Sequence, residues 1–402
     1  MNFKTLLLFL LISYSLKAER VQEVIDYSIQ NNYQLQILQE ESAITDREIE
    51  IVGAWADPIL SAGINDVQGV RPLSRNLEAM QNQFVTFSQA IPLNNRLEIA
   101  SDVERDKLLV IEGKREILKV NIAFGVRQAF IEAQFAKKSL SILDEYIAFL
   151  QTPLDLLVEL SAIEKNSVEK YIQTELLQKS YQLQRAVWLR TIEVAKERIE
   201  LIGNMKIDSF SDEVVFEDYQ NQSLKELLSI LDSNSPELHM RESLKTVSNR
   251  AIELARAKEQ TDFTVRGGYY QRFDRNDYIS LSVSFPLYIH NKQSNQRVQA
   301  MKKSNIENIT YEQTKVQLEQ GLKIRFYELK SLYDELKLLE ESRLKIDRLI
   351  ANAKSELSLG GSLIHYYELF RQRVNNRLSI AKKELDIALH KNQIEQLLGV
   401  YK

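Results

Sequence analysis

Residues 84–92 read FVTFSQAIP, and residues 278–286 read YISLSVSFP. In both stretches apolar side chains alternate with small or polar ones, and a proline ends the alternation. A period of two residues predicts a β-strand with two different faces. An earlier alternating stretch precedes each of them, so the chain is predicted to contain two β-hairpins. The predicted strands are 59–67, 84–91, 263–272 and 278–287.

A long helical pattern follows each proline. In the first pattern, apolar residues recur in steps of four and three, which is typical of a coiled-coil seam. About 66 residues at ~1.5 Å each predict a helix of roughly 100 Å. We expect Pro153 to kink it, and Asn166 with Glu169 to cap the return helix. The seam residues are Ile122, Val126, Ala129, Ala133, Ala136, Leu140, Leu143, Ile147 and Leu150. The second hairpin has a similar apolar spacing, through Leu329, Leu332, Leu336, Leu339, Ile346 and Ile350 on its first helix and Phe370, Val374, Leu378, Ala381, Leu385 and Ala388 on its return helix.

Three landmarks recur at the same spacing in the two halves of the chain. Pro92 precedes the break at Asn166 by 74 residues, and Pro286 precedes Gly360 by 74. The glycines that end the two return helices lie 196 residues apart. Shared spacing indicates a duplicated strand–helix–turn–helix unit. We predict a first repeat over 19–203, with an N-terminal helix at 19–52 and a helical hairpin at 95–202, and a connector over 204–222. The predicted second repeat covers 223–402, with a leading helical region and a helical hairpin at 291–399. Ser223 or Ser235 is expected to cap a short helix there.

Composition excludes several classes of protein. The net charge is −4 with no basic block, so nucleic acid is not an expected partner. Cysteine is absent, which excludes disulfides, thiolate metal sites and a lipid-bearing cysteine. The four histidines are scattered and no phosphate-binding glycine loop is present. We therefore predict no enzyme activity, no catalytic residue, no cofactor and no metal.

The first 18 residues resemble a secretory signal. Lys4 precedes an apolar core at 6–12, and Ser15-Leu16-Lys17-Ala18 follows. The core is too short to span a bilayer as a helix. We expect cleavage after Ala18 and an exported mature chain.

The alternating strands have the length that a tilted outer-membrane strand requires. An open four-stranded sheet cannot exist in lipid, because every backbone group there must be paired. One chain must therefore share strands with copies of itself. Two chains would give an eight-stranded barrel filled by its own side chains, whereas three would give twelve strands with room for a pore. The helical hairpins also need partners, so we predict a homotrimer in contact with outer-membrane lipid.

A periplasmic coiled-coil structural protein is the alternative from another functional class. It would explain the heptad seam and the duplication. It would not explain an export signal together with four alternating strands of membrane length.

The order of these elements resembles the TolC-like outer membrane factor family across nearly the whole mature chain. Residues 87–92, FSQAIP, and 282–287, SVSFPL, resemble the family's strand-ending signatures. Residues 358–362, SLGGS, resemble its second periplasmic turn, and Gly203 and Gly399 stand at its helix ends.

The resemblance implies an α+β membrane protein. Its expected form is a trimeric 12-stranded outer-membrane β-barrel that continues into a 12-helix periplasmic α-barrel. The implied function is the exit duct of a tripartite efflux system, with a periplasmic adaptor and an inner-membrane transporter as partners. A type I protein secretion duct is the alternative with the same architecture.

The resemblance also implies that the helical turns contact the adaptor. The family's usual glycine is missing from the first turn, where Ala162-Ile163 stands instead. The candidate adaptor-contact residues are Ala162, Ile163, Glu164, Lys165 and Asn166 in the first turn, and Leu359, Gly360, Gly361 and Ser362 in the second. An ordinary capped turn is the alternative for both.

Family members often narrow the tunnel with acidic rings past the second turn. At the corresponding positions this chain has Tyr366 and Leu369, with charges nearby. Our hypothesis is an aromatic, mixed-charge periplasmic gate in which Tyr366 closes the aperture and Glu368 pairs with an arginine of a neighbouring helix. The alternative is a solvated helix face. The candidate gate residues are Tyr366, Glu368, Leu369, Arg371 and Arg373.

Overall fold

The computed structural model describes residues 20–161, 165–210, 214–219, 221–357 and 363–401. Within these residues the chain forms helices and one antiparallel sheet. Their order is α1 (Val21–Asn31), α2 (Tyr33–Gly53), β1 (Ile59–Asn65), β2 (Asn82–Ile91), α3 (Arg96–Ser161), α4 (Lys165–Gly203), α5 (Leu224–Asn234), α6 (Pro236–Ala257), β3 (Phe263–Gln271), β4 (Tyr278–Ser284), α7 (Lys292–Leu357) and α8 (Leu363–Leu398).

The elements repeat in order and in length. Two helices, two strands and two helices occur twice, so that α1 to α4 correspond to α5 to α8. The first long helices of the two halves, α3 and α7, each contain 66 residues. The short helices α1 and α5 each contain 11. This agreement supports the duplication inferred from sequence spacing.

The compact units of the structure do not coincide with the two repeats. The sheet unit comprises residues 37–116 and 236–316. The helical unit comprises the described residues of 20–36, 117–235 and 317–401. Each unit therefore contains segments of both repeats. The boundaries between the units fall inside α3 and α7, so each of these helices has residues in both units.

In the sheet unit the strand order is β1-β2-β3-β4, and every neighbouring pair is antiparallel. The predicted hairpins are present, but β1 and β4 are shorter than expected, with seven residues each. Strand β1 ends at Asn65 rather than at 67, since Asp66 adopts a left-handed conformation with φ of 58°. Strand β4 ends at Ser284, before Pro286, which has no N–H group to donate.

In the helical unit the predicted seam of α3 faces the core. Seven of its nine residues are buried, and Leu140 and Ile147 are half-buried. Small residues let neighbouring helices approach closely; a Cβ on Gly125 would lie 2.7 Å from the Ile202 side chain of α4. The first part of the seam packs with α1, α4 and the connector, and the second part packs with α4 and α8.

The predicted N-terminal helix over 19–52 is interrupted. Asn32 is extended and separates α1 from α2. Its side-chain oxygen accepts hydrogen bonds from the N–H groups of Gln34 and Leu35, at 2.9 and 3.2 Å. Its amide donates to the carbonyl of Ile202 at 2.8 Å. Capping chemistry and a tertiary contact therefore override the continuous helical periodicity.

Two predictions about helix starts have different outcomes. Ser223, one of the two serines predicted to cap a short helix, caps α5 and forms a full capping box with Glu226. The prediction for Asn166 is wrong, because α4 begins at Lys165 and Asn166 lies in its first turn. Helix α3 passes through Pro153 and ends at Ser161.

A buried ion pair joins the two repeats inside the helical unit. Arg127 of α3 lies 2.5 Å from Glu395 of α8, and their side chains are 8% and 5% exposed. The Tyr219 hydroxyl of the connector donates to Glu395 at 3.4 Å. Arg127 also donates to the carbonyl of Val400 at 3.3 Å. Burial raises the pKa of the Glu395 carboxyl above its usual range, although the attraction of Arg127 opposes the shift.

Replacing Arg127 by alanine is expected to destabilise the protein by about 3–5 kcal/mol, because it leaves the Glu395 carboxylate buried without its cation. The measurement is chemical unfolding followed by helical circular dichroism at neutral pH. Arg185→Ala is the matched control, since its pair with Asp144 is 43% and 51% exposed. That change should cost less than about 1 kcal/mol. Equal losses in the two variants would contradict the structural role given to the buried pair.

Candidate functional site

The two faces of the sheet are reversed relative to a sheet in water. One face carries apolar side chains and is exposed, whereas Asn82, Thr86 and Ser88 on the other face are buried. A soluble antiparallel sheet normally buries its apolar face. The exposed apolar residues are Leu60, Ile64, Val85, Phe87, Tyr269, Ile279, Leu281 and Val283.

The sheet has two open edges in a single chain. Strand β1 pairs with β2 and strand β4 pairs with β3. Within the described residues no strand pairs with the outer side of β1 or β4. Backbone N–H and C=O groups on these outer sides can bond only to water or to another chain.

In the helical unit, contacts arrange four helices side by side. Helix α3 contacts α4 through Glu132 and Arg198, at 2.8 Å. It contacts α8 through Phe149 and Phe370, whose ring centroids lie 3.8 Å apart. Helix α8 contacts α7 through an ion pair of 3.0 Å between Arg373 and Asp347.

The outer helices of this row carry exposed apolar residues at regular spacing. On α4 the spacing is four, seven and seven residues, and on α7 it is eleven. Both spacings place side chains on one face of a helix. We call these sets the α4 stripe and the α7 stripe: Leu183, Val187, Val194 and Leu201 on α4, and Tyr327, Leu338 and Leu349 on α7.

The sheet unit shows the same organisation. Helix α2 contacts α3, where Ser101 donates to the carbonyl of Ile49 at 3.0 Å. Helix α3 contacts α6 through Asp106 and Arg250, at 3.1 Å, and α6 contacts α7 through Asn249 and Ser304, at 2.8 Å. The outer helices again expose regularly spaced apolar residues. They are Ile37, Ile44 and Ile51 on α2, and Val298 and Ile309 on α7.

The predicted adaptor-contact turns fall largely outside the described residues. This applies to Ala162, Ile163 and Glu164 and to the set Leu359–Ser362. Lys165 and Asn166 are described as the first residues of α4, but their side chains are not.

Among the predicted gate residues, Leu369 and Tyr366 pack inside the helical unit. Leu369 is buried against Ile350 and Ala353 of α7. Tyr366 is half-buried beside the same cluster, and its ring centroid lies 6.1 Å from that of Phe149. Leu369 therefore anchors α8 and does not present its side chain on the surface.

The charged gate candidates differ in their contacts. Arg373 is held by Asp347 and lies over the Phe370 ring, with its guanidinium 5.6 Å from the centroid. Glu368 and Arg371 are exposed. Within the described residues Glu368 has no ion-pair partner, so the predicted pair with an arginine is not formed inside this chain.

An aromatic cluster next to the gate candidates was not singled out from the sequence. Tyr146 and Phe149 of α3 stack on Phe370 of α8, at 5.9 and 3.8 Å between centroids. Tyr181 of α4 meets Tyr146 edge to face at 4.9 Å. Burial raises the pKa of Tyr146 and of Tyr181, so both phenols stay neutral. Heptad spacing marked α3 and α8 separately, but only their packing brings these rings together.

Metal-ligating side chains do not cluster within the described residues. No group of three or more His, Asp or Glu side chains there could hold a metal ion. His390 contacts Glu328 and the carbonyl of Asp386, at 3.2 and 2.7 Å. No helix in the described ranges is both long enough and apolar enough to cross a membrane.

Comparison of sequence alone finds no relative, whereas comparison of structure finds several. No known family's sequence profile matches the chain, and no curated protein matches it. CusC, known from crystal structures concerned with transmembrane channel formation, has a TM-score of 0.74 at 15% identity, over 95% of this chain and 92% of CusC. The Campylobacter jejuni CmeC outer membrane channel has a TM-score of 0.75 at 14% identity, over 94% of this chain and 85% of CmeC.

The Vibrio cholerae outer membrane protein VceC has a TM-score of 0.74 at 13% identity, over 95% of this chain and 97% of VceC. This chain has the outer membrane channel fold. The likeness covers at least 94% of this chain and at least 85% of each of the three channels, so it includes both the sheet and the long helices. The resemblance to TolC-like outer membrane factors is thereby confirmed at the level of the fold.

The stacked rings of Phe149 and Phe370 are expected to be energetically coupled. Replacing both by alanine should give a coupling of about 0.5–1.5 kcal/mol in a double-mutant cycle, because edge and face contacts of aromatic rings add to their burial. Unfolding free energies of the two single variants and the double variant supply the measurement. Phe326 belongs to another cluster, so the control pair Phe149 with Phe326 should be additive. A coupling near zero for the stacked pair would contradict this assignment.

Proposed function

We propose that this protein is an outer-membrane exit duct that passively conducts substrates out of the cell. The observation that carries the proposal is the reversed sheet, whose exposed face is apolar. Lipid is the solvent that favours such a face, and water inside a barrel favours Ser, Thr and Asn on the other. The fold shared with CusC, CmeC and VceC supports the same conclusion.

The open edges of β1 and β4 support a ring of identical subunits. The two edges differ, so β1 of one copy would pair with β4 of the next, which is a head-to-tail contact that closes by rotation. Two copies would give eight strands and a filled interior, whereas three would give twelve strands and a water-filled lumen. The proposed assembly is therefore a homotrimer.

The helical stripes support the same ring independently. The α4 stripe and the α7 stripe lie on opposite ends of the row α4-α3-α8-α7. Head-to-tail association would bring the α4 stripe of one copy against the α7 stripe of the next. The Ile37, Ile44 and Ile51 set on α2 would meet α7 of the neighbour in the same way. In each unit, taken by itself, the proposed association would cover the stripes of both outer helices.

The proposed partners are a periplasmic adaptor and an inner-membrane transporter. In this proposal the duct is passive, and energy and selection would come from those partners. The two helical turns, 162–166 and 359–362, are the proposed adaptor contacts. Resemblance to outer membrane factors supports efflux as the process, with type I protein secretion as the alternative that uses the same duct.

The proposal includes a periplasmic gate on α8, next to the second helical turn. Leu369 and Arg373 hold α8 on α7, and Tyr366 rests on the aromatic cluster. Glu368 and Arg371 remain exposed and lie three residues apart on one face of α8. In a ring of three copies Glu368 would reach an arginine of a neighbouring copy.

The assembly is tested with Leu183→Glu in the α4 stripe. A charge buried between subunits should abolish the trimer, seen as loss of the SDS-resistant high-mass band and of single-channel conductance in planar bilayers. Gln182→Glu adds the same charge at a neighbouring exposed position away from the stripe, and should leave the trimer intact.

Fractionation completes this test. The mature protein should be found in the outer membrane and should require detergent for extraction. A water-soluble monomer that conducts no ions would overturn both the trimer and the duct.

The gate is tested with the double variant Tyr366→Ala, Glu368→Ala. Removing the ring and the proposed inter-subunit ion pair should raise the single-channel conductance at least severalfold. Glu341→Ala, an exposed acid on α7, is the control and should leave conductance unchanged. Unchanged conductance in the double variant would remove the gate from the proposal and leave the duct itself standing.

A further inference from the structure

One row of residues across the sheet is almost entirely aromatic. In the strand register, Gly63 of β1 lies opposite Phe84 of β2, Phe84 opposite Tyr270 of β3, and Tyr270 opposite Tyr278 of β4. The Phe84 and Tyr270 ring centroids are 5.7 Å apart. Those of Tyr270 and Tyr278 are 4.8 Å apart, and the two rings are nearly parallel at 4°. We call Phe84, Tyr270 and Tyr278 the aromatic band.

The glycine in this row makes room for the band. A Cβ on Gly63 would lie 2.6 Å from the tip of the Phe84 ring. The ring therefore extends over β1 itself, and the band covers all four strands with three side chains. Gly268 in the neighbouring row plays a similar part, since a Cβ there would lie 2.8 Å from the Tyr270 ring.

The band lies on the polar face of the sheet. The alternation puts Phe84 on the same face as Thr86 and Ser88, and opposite to Val85 and Phe87. The adjacent row on that face contains Ser61, Thr86, Gly268 and Ser280. Large rings thus occur together beside a row of small or polar side chains. The rings are half-buried to exposed, so parts of their faces are accessible in the single chain.

Arg272 lies at the end of the aromatic band that is next to the β3–β4 turn. The Arg272 guanidinium lies 5.1 Å from the centroid of the Tyr278 ring. It donates to the carbonyl of Asn276 at 2.6 and 3.0 Å, which holds it in the β3–β4 turn. A guanidinium above an aromatic ring is an attractive arrangement that orients both groups.

We propose that the aromatic band is a binding site for planar aromatic solutes in the lumen of the duct. This inference rests on the proposed function, which makes the polar face of the sheet the inner face of the barrel. Each copy contributes three rings, and a ring of three copies would place nine of them around one level. The Gly63 end of one copy would then follow the Tyr278 end of the next.

The chemistry favours flat organic molecules over small hydrated ions. Aromatic rings attract other rings in stacked and edge-to-face arrangements, in addition to the effect of burial. A hydrated inorganic ion gains little from the same surface. Arg272 adds a positive charge beside Tyr278, and the nearby Asp277 carboxylate offsets it, so ring stacking rather than net charge selects the solute.

The test measures channel block by two anions of equal charge in planar bilayers containing the assembled full-length mature protein. The aromatic probe is 1-naphthalenesulfonate and the aliphatic probe is cyclohexanesulfonate. The wild-type channel should be blocked about threefold to tenfold more tightly by the aromatic probe. The triple variant Phe84→Leu, Tyr270→Leu, Tyr278→Leu keeps apolar bulk without rings and should lose that preference.

Phe87→Leu is the matched control, because Phe87 is an aromatic residue of the same strand on the opposite face. It should keep the preference for the aromatic probe. If the triple variant does not assemble, the single variants Tyr270→Leu and Tyr278→Leu decide the question, and each should weaken the preference in part.

The outcomes separate the site from the duct. A conducting wild-type channel without preference between the probes, or with a preference that survives loss of the rings, would show that the band serves cross-strand packing only and would overturn the site alone. A wild-type protein that conducts no ions would overturn the proposed duct and the site with it.

Discussion

The structure depends on the pairing of backbone hydrogen-bonding groups at the sheet edges. Four strands in one chain leave the outer sides of β1 and β4 without partners. Where the solvent is lipid, an unpaired N–H or C=O group costs several kcal/mol, so a spanning sheet must close on itself. A chain with four strands can meet this requirement only together with copies of itself. The same copies would cover the apolar stripes that the outer helices leave exposed.

Packing inside the chain follows a second constraint, which is the close approach of long helices. The α3 seam contains alanine at 129, 133 and 136, where larger side chains would hold the neighbouring helices apart. Farther along α3 the contacts become aromatic, with Tyr146 and Phe149 against Phe370. The buried pair of Arg127 and Glu395 joins α3 to α8 just before the alanine region of α3. An apolar seam tolerates a shift of one helix along the other. A buried ion pair with defined partners specifies one alignment of the two helices.

Local sequence reasoning succeeded where a periodic pattern was long. Both strand pairs, the 66-residue length of α3 and a helix cap at Ser223 were predicted from alternation, heptad steps and cap chemistry. It failed where a single residue ended an element. Asn32 interrupts a continuous helical pattern because its side chain caps α2 and bonds to Ile202. Asp66 ends β1 two residues early by turning left-handed.

The order of residues by itself determined the duplication, the period of two in the strands and the heptad period in the helices. It also determined that each strand has one apolar face and one small or polar face. Each of these is a property of residues near one another or regularly spaced along the chain. Only the tertiary structure decided which residues meet across the sheet and between helices. The alternation placed Phe84, Tyr270 and Tyr278 on faces of separate strands, but the register alone aligned them in one row with Gly63. Heptads likewise marked the inner faces of α3 and α8 without showing that Phe149 lies on Phe370. Register and helix pairing are long-range choices, set by the total packing of many side chains, and a local period is compatible with several of them.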